Sequence, residues 1–213
     1  SKTNEGRLAY CLIINDNSRN KKNLLITART HPYESAGSFN VEGIIAGMIN
    51  GRGKSILKGC SIYIIPMVCP DGVYNGLCRL NSVNAPDLSR IIDENDILSK
   101  AYLQLLDNIR PAIFLEFHNW MIKDYDGIFY LPWRDTYILK TELQRRINVD
   151  KQKKWSVGVN NILFKCRPEG LKKYANDNYR TKCMTIEYSW YGRSTEDMKR
   201  LGVQTLESLS RII

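Results

Sequence analysis

Leu24-Leu25-Ile26-Thr27-Ala28-Arg29-Thr30-His31-Pro32-Tyr33-Glu34-Ser35 is the stretch from which the fold is read. Its first five residues are a near-continuous apolar run, the pattern of a strand buried on both faces. After Glu34, apolar residues recur at Phe39, Val41, Ile44, Ile45 and Met48, which is helical spacing over Ser38 to Ile49. Gly51-Arg52-Gly53 closes that helix, as glycines near a helix C-terminus tend to. A buried strand, a short loop and a helix make the repeating unit of an α/β layer fold. The loop carries His31, one of two histidines in the chain, and Glu34 follows three residues later. Imidazole and carboxylate are zinc ligands, and a catalytic zinc takes three protein ligands and leaves a fourth position open. The third ligand has to come from far along the chain. The other histidine, His118, stands at the end of a second apolar run, Ala112 to Phe117. Both histidines are thus expected where a buried strand gives way to a loop, and open α/β sheets bind ligands at the carboxyl ends of their strands.

The same alternation extends outward. Leu8 to Ile14 reads as a strand, Asn15 to Asn23 as a polar turn and Cys60 to Pro66 as a third strand. Met67 to Arg90 is a long irregular stretch containing Pro70-Asp71-Gly72, and a loop of that length in a compact domain is usually functional. Ile91 to Ile109 reads as a helix stopped by Pro111, Gly127 to Leu131 as a short strand and Thr136 to Asn148 as a helix. Lys151 to Asn178 is polar, basic and irregular. Cys183 to Ile186 forms a short strand leading into Glu187, and Thr195 to Ile213 is a closing helix. The expectation is a single α/β domain over residues 1–213, with a mixed, mostly parallel central sheet flanked by helices.

Composition narrows the function classes. The chain has 213 residues, 43% hydrophobic and 25% charged, ordinary for a globular protein with a sizeable core. A formal net charge of +9 favours an anionic partner. The basic residues are scattered apart from Lys151, Lys153 and Lys154, with no arginine-rich or aromatic-interleaved block, so nucleic acid is not expected as the partner. No apolar stretch approaches the length of a membrane span, so no membrane partner is expected either. The six cysteines include no C-x-x-C pair, and thiols scattered through strand-like runs point to a reducing compartment. Cytoplasmic location is favoured on that ground; the cell envelope or secretion stays open for a chain whose leader was removed.

Four elements point to one site: His31 with Glu34, His118, the loop bearing Asp71, Arg79, Asp87 and Arg90, and Glu187. A zinc peptidase needs three ligands, a carboxylate that takes a proton from water, and a cation near the developing oxyanion, and the chain offers one residue for each role. The order of these phrases resembles the zinc metallocarboxypeptidases of the M14 type, most closely their cytosolic carboxypeptidase branch. Asn4-Glu5-Gly6-Arg7 resembles that family's opening phrase, and His31-Pro32-Tyr33-Glu34 its H-x-x-E motif. Pro66-Met67-Val68-Cys69-Pro70-Asp71-Gly72-Val73 is similar to P-M-x-N-P-D-G-V, Asp87-Leu88-Ser89-Arg90 to D-L-N-R, and Thr185-Ile186-Glu187-Tyr188-Ser189 to the segment bearing the general base.

The resemblance implies a zinc carboxypeptidase-like fold and one zinc per chain, held by His31, Glu34 and His118. It implies Glu187 as general base and proton donor, and Arg79 as the group that polarises the scissile carbonyl. It gives Arg90 the terminal carboxylate of a peptide substrate through the bidentate geometry at which arginine excels. Ser89 stands where the family has an asparagine that helps hold that carboxylate, so the clamp is expected to be weaker or altered. Cys69 replaces another asparagine and reads as a packing or turn residue. Tyr174 and Tyr179 are the candidates for a substrate-capping tyrosine. The implied function is a zinc-dependent metallopeptidase that removes the carboxy-terminal residue of peptides with an anionic end, acidic or cell-wall peptides alike. A zinc deacylase or amidase acting on N-acyl amino acids is the alternative, and a metal-free binding module the third reading.

Overall fold

The computed structural model describes residues 1–14, 22–121, 123, 125–130, 133–149 and 162–213. In chain order the elements are β1 (Leu12–Ile14), β2 (Lys22–Ala28), α1 (Ala36–Ile49), α2 (Lys54–Leu57), β3 (Cys60–Ile65), α3 (Pro70–Tyr74) and α4 (Ile97–Ile109). They continue with β4 (Ile113–Trp120), β5 (Gly127–Tyr130), α5 (Arg134–Val149), β6 (Ile162–Lys165), α6 (Gly170–Tyr179), β7 (Lys182–Ser189) and α7 (Thr195–Leu209). The strands form one seven-stranded sheet in the order β1-β3-β2-β4-β7-β5-β6. Its centre, β3-β2-β4-β7, is parallel throughout, with helices in the connections from β2 to β3, from β3 to β4 and from β4 to β7. β1 and β5 run antiparallel to their neighbours β3 and β7, and β6 pairs parallel to β5. The mixed, mostly parallel sheet flanked by helices expected from the sequence is therefore the observed one.

Period-two alternation along the strands sorts the core into two layers. Ile113, Leu115 and Phe117 of β4 and Met184, Ile186 and Tyr188 of β7 face α1, α5 and α7. Phe114 and Cys183 face the opposite side, covered by α4 and α6 through Leu98, Tyr102, Leu106, Leu171 and Ala175. α1 and α7 approach so closely that a Cβ added at Gly43 would overlap the Lys199 carbonyl, and one at Gly202 the Asn40 carbonyl. Asn40 Nδ2 donates to the Met198 carbonyl across this contact at 2.7 Å. The start of α7 is set by a capping box between Ser194 and Asp197.

The structure departs from the sequence reading in five places. The first strand is shorter, Leu12–Ile14, while Leu8 forms only an isolated bridge with Lys2. α4 begins at Ile97 rather than Ile91, because Asp96 is its N-cap: its backbone is extended and its side chain accepts from Ser99 N at 2.7 Å. One helical turn, α3, interrupts the long loop after β3. His118 does not end a strand: β4 runs on to Trp120, as β7 runs past Glu187 to Ser189, since their ladder continues through Trp120 and Ser189. The stretch read as irregular from Lys151 to Asn178 contains β6 and α6, the latter concealed because only Gly170, Leu171 and Ala175 are buried and its remaining surface is polar. Lys151, Lys153 and Lys154 lie outside the described residues. Among the described residues no helix is long and apolar enough to cross a membrane.

Gly43→Ala should force α1 and α7 apart and lower the urea unfolding free energy by about 1–3 kcal/mol, the usual cost of overpacking. Ile49→Ala, at an exposed position of the same helix, should change it by less than about 0.5 kcal/mol in the same titration.

Candidate active site

The site begins where β2 ends. Arg29 takes the left-handed conformation at φ 60°, uncommon for a non-glycine residue, and its Nε donates to the Pro32 carbonyl at 2.9 Å. This turn brings His31 inward, and a hydrogen bond from Glu34 N to His31 O at 3.1 Å places Glu34 three residues on beside it. Glu34 Oε1 lies 2.7 Å from His31 Nδ1, and Glu34 Oε2 lies 2.7 Å from His118 Nδ1. The two Nδ1 atoms are 3.2 Å apart, and all three residues are buried. The Asn119 backbone N–H donates to Glu34 Oε2 at 3.2 Å, while Asn119 Oδ1 accepts from Gly37 N, so β4 also orients the first turn of α1.

His118 reaches this group through register. It is the partner of Glu187 across the parallel β4–β7 ladder, as Glu116 is of Thr185. Phe114, Glu116 and His118 share one face of β4, and Cys183, Thr185 and Glu187 share the same face of β7. Toward the carboxyl ends this face passes from apolar to polar, and at its end lies a cleft lined by His31, His118, Glu187, Arg90, Arg167 and Lys172, among others. Glu187 Oε2 is buried there without a hydrogen-bond partner among the described residues.

Burial works against the ionised form of every group in the cluster, and neighbouring charges decide the outcome. Burial pushes the Glu34 carboxyl up, but hydrogen bonds and charge from His118 and His31 outweigh it and hold the group at about 2. Burial lowers His118, yet the Glu116 charge and the contacts with Glu116 and Glu34 raise it to about 10. His31 is raised by Asp87 and Glu34 against the same opposing burial. Glu187 goes the other way: burial dominates, the His118 charge offsets it only in part, and its carboxyl rises to about 7.

The remaining sequence candidates are placed unequally. Arg90 lines the cleft, with its guanidinium 2.5 Å from Glu169 Oε2. Ser89 also lines it, but its hydroxyl donates to Asp87 Oδ1 at 2.7 Å and lies 3.0 Å from His31 Nε2. Arg79 is exposed on the loop, near enough to Tyr33 for its charge to act on that ring's hydroxyl, and does not line the cleft. Tyr174 and Tyr179 are away from the cleft: both hydroxyls donate to Asp107 of α4, at 2.8 and 2.5 Å. The capping role expected for them has no counterpart in this arrangement, because α6 turns that face toward α4. Cys69 is buried, and its thiol donates to the Thr30 carbonyl at 3.2 Å, the packing role expected of it.

Asp71 explains why two distant phrases occur together. It is buried and accepts from Thr3 Oγ1 at 2.6 Å, Glu5 N at 3.1 Å and Arg7 Nη1 at 2.8 Å, pinning the amino-terminal loop to the loop after β3. Glu116 and Lys172 are not named in the sequence reading, and Asp87 appears there only within its loop motif, yet Asp87 backs His31 and Glu116 backs His118 at the site. A glutamate inside the apolar run Ala112 to Phe117 was the available signal, since charged residues are almost never fully buried unless paired.

His31, Glu34 and His118 form a group whose ligand atoms all lie within 4.8 Å of one another, so they could hold a metal ion. Two nitrogens and a carboxylate are the ligand set of several catalytic zinc sites. The far side of each ring also faces a carboxylate, with Asp87 Oδ2 3.5 Å from His31 Nε2 and Glu116 Oε2 3.1 Å from His118 Nε2, as is usual for histidines that bind metals. The donor set therefore fits zinc.

Residues 1–89 match the zinc carboxypeptidase family model, peptidase M14. Among curated relatives, cytosolic carboxypeptidase 6 of Caenorhabditis elegans is 40% identical over a stretch covering 33% of this chain and 16% of that protein. Cytosolic carboxypeptidase 1 of Gallus gallus is 30% identical, over 47% of this chain and 9% of that protein. This chain thus spans only a small part of the curated relatives it matches. A metallo-carboxypeptidase from Burkholderia cenocepacia superposes with a TM-score of 0.78 at 21% identity, covering 99% of this chain and 62% of that one. The fold is that of the metallocarboxypeptidases, and the zinc carboxypeptidase resemblance read from the motifs holds. His118 and Glu187 lie beyond the residues matched by the family model, and the β4–β7 register brings them beside His31 and Glu34.

Because His118 and His31 are both raised, zinc has to displace protons from the imidazoles. Zinc affinity should fall as the pH is lowered from 8 to 6, with up to about two protons released per ion bound. Titration calorimetry in buffers of different ionisation enthalpy would check this.

Proposed function

We propose that residues 1–213 act as one catalytic domain, a zinc-dependent metallocarboxypeptidase that hydrolyses the carboxy-terminal peptide bond of its substrates. One observation carries the reading: a buried His31–Glu34–His118 group stands beside Glu187, which lines the cleft and whose Oε2 is buried without a hydrogen-bond partner among the described residues. His31, Glu34 and His118 would hold the zinc, which when bound acts as a Lewis acid toward a carbonyl and lowers the pKa of water. Glu187 would take the proton of the attacking water and return it to the leaving amine. Its raised pKa suits both tasks, since a group near neutrality accepts and releases protons readily. Arg90 would bind the substrate's terminal carboxylate, exchanging Glu169 for it. Arg79 would support the carbonyl oxygen, which requires its exposed side chain to turn past Tyr33 into the cleft.

Arg90 and Arg167 in the cleft wall, with the net charge of +9, support an anionic carboxyl end on the substrate, as in acidic peptides. The cytosolic carboxypeptidases among the relatives support a cytoplasmic location, as do the six free cysteines. One observation favours the alternative, a zinc deacylase or amidase acting on N-acyl amino acids: the Ser89 hydroxyl is engaged with Asp87 and His31 and so is diverted from a substrate carboxylate. A panel of acidic peptides and N-acyl amino acids separates the two by relative kcat/KM. A metal-free binding module is disfavoured by the complete set of ligands and base.

The purified protein should carry about one zinc per chain, and His118→Ala should lose it. Glu187→Gln should keep zinc but lose turnover by at least about 100-fold, the lower range for a positioned general base. A parent-level rate in that variant would remove Glu187 from the role of base. In the parent protein kcat/KM should fall as the pH drops through the Glu187 pKa, because only the carboxylate accepts a proton. Burial raises the Glu187 carboxyl to about 7, and a bound cation favours the carboxylate, so this limb should lie below 7.

A further inference from the structure

Directly beneath the site lies a buried ion pair that the proposed chemistry does not use. Glu116 is 3% exposed, and Lys172 of α6 contacts its Oε2. Glu116 Oε1 accepts from Thr30 Oγ1 at 2.6 Å, and Lys172 Nζ donates to Thr185 Oγ1 at 2.5 Å. Glu116 Oε2 also stands 3.1 Å from His118 Nε2, a buried nitrogen that has this carboxylate as its charged neighbour and no hydrogen-bond partner among the described residues. The contacts of this pair thus reach the three segments that carry His31, His118 and Glu187. Thr30 precedes His31, Glu116 precedes His118 by two positions on one strand face, and Thr185 precedes Glu187 in the same way.

From this arrangement we infer that Glu116, held by Lys172, is a positioning residue of the metal centre: it fixes the His118 ring so that Nδ1 faces Glu34 and His31, and it locks the β2 loop, β4 and β7 in register. The inference rests on the proposal that His31, Glu34 and His118 bind zinc. A free imidazole can rotate about its Cβ–Cγ bond and can carry its proton on either nitrogen. A carboxylate at Nε2 selects the ring orientation and places the proton on Nε2, leaving the Nδ1 lone pair for the metal. Lys172 is needed because a lone buried carboxylate is costly, whereas one supplied with a cation and a hydroxyl is tolerated. The two threonines complete the hydrogen bonding of the pair, so its geometry is set from three sides.

Removing only Glu116 would leave Lys172 uncompensated in the interior and endanger the fold, so the informative variant removes both charges. Glu116→Gln combined with Lys172→Met keeps the volumes, and replacement of a buried pair in this way is often neutral for stability. The test is zinc affinity by competition with a chromophoric chelator, together with the visible spectrum of the cobalt-substituted protein and the melting temperature of the zinc-free protein. The double variant should melt with the parent, bind zinc about 10- to 100-fold more weakly, the usual cost of losing such an outer partner, and show a shifted cobalt spectrum. Parent affinity with an unchanged spectrum would overturn the inference while leaving the metal site intact. Failure of the parent itself to bind zinc would overturn the metal reading on which the inference rests. A second measurement needs no variant. In the zinc-loaded parent the His118 Nε2 proton should appear as a slowly exchanging downfield imidazole resonance, and its absence would equally overturn the assignment.

Discussion

Pairing His118 with Glu187 across two parallel strands sets an imidazole and a carboxylate side by side at the inter-strand spacing of about 4.8 Å before any side-chain contact is made. Everything else in the site is arranged around that register. A slip of one residue in β7 would turn Glu187 into the apolar layer that Ile186 and Tyr188 now fill, and bring those two side chains to the cleft. The two-sided burial of both strands opposes such a slip, because it would expose one apolar layer and bury polar groups in the other. The extensive hydrophobic core between the sheet and α1, α5 and α7 therefore has a chemical consequence on the far side of the sheet.

The second constraint is the density of buried charge. Glu34, Glu116, Asp87, His31 and His118 lie within a small volume, and no member would be stable alone there. Glu34 is shared by both imidazoles, Asp87 and Glu116 each back one of them, and Lys172 supplies the cation that Glu116 requires. Glu187 stands apart in this network. It lines the cleft, its Oε2 is buried without a hydrogen-bond partner among the described residues, and its pKa is governed by burial more than by a partner. Two carboxylates beside the same histidines in space are thus driven in opposite directions, Glu34 to about 2 and Glu187 to about 7, which separates a group suited to hold a cation from one suited to move a proton.

Backbone conformation supplies the rest. The left-handed Arg29 is the joint between β2 and the His31 loop, and its side chain bonds the loop it creates. Asp71 ties the amino-terminal loop to the segment after β3, and Asp96 ties Asn4 and Asn81 to the start of α4. These anchors use side chains from stretches that appear irregular, so the long segment from Met67 to Arg90 is held by buried carboxylates as well as by regular structure.

The sequence by itself determined the layer architecture, because apolar runs and 3.6-residue stripes are local signals of β2, β3, β4, α1 and α7. It also determined the chemical types available, since a chain with two histidines, each beside a buried run, leaves few ways to assemble a metal group. Helix α6 escaped it because its buried stripe is only three residues wide, and the start of α4 escaped it because a cap made by Asp96 competes with the apolar pattern of Ile91 and Ile92. Only the tertiary structure decided which distant residues meet. It set His118 and Glu187 inside their strands rather than beyond them, carried Tyr174 and Tyr179 to the α4 side, and brought Lys172 beneath the cleft to join Glu116. Such pairings depend on register and on the angle at which a helix crosses a sheet, and these follow from the packing of the whole core, which no local stretch of sequence encodes.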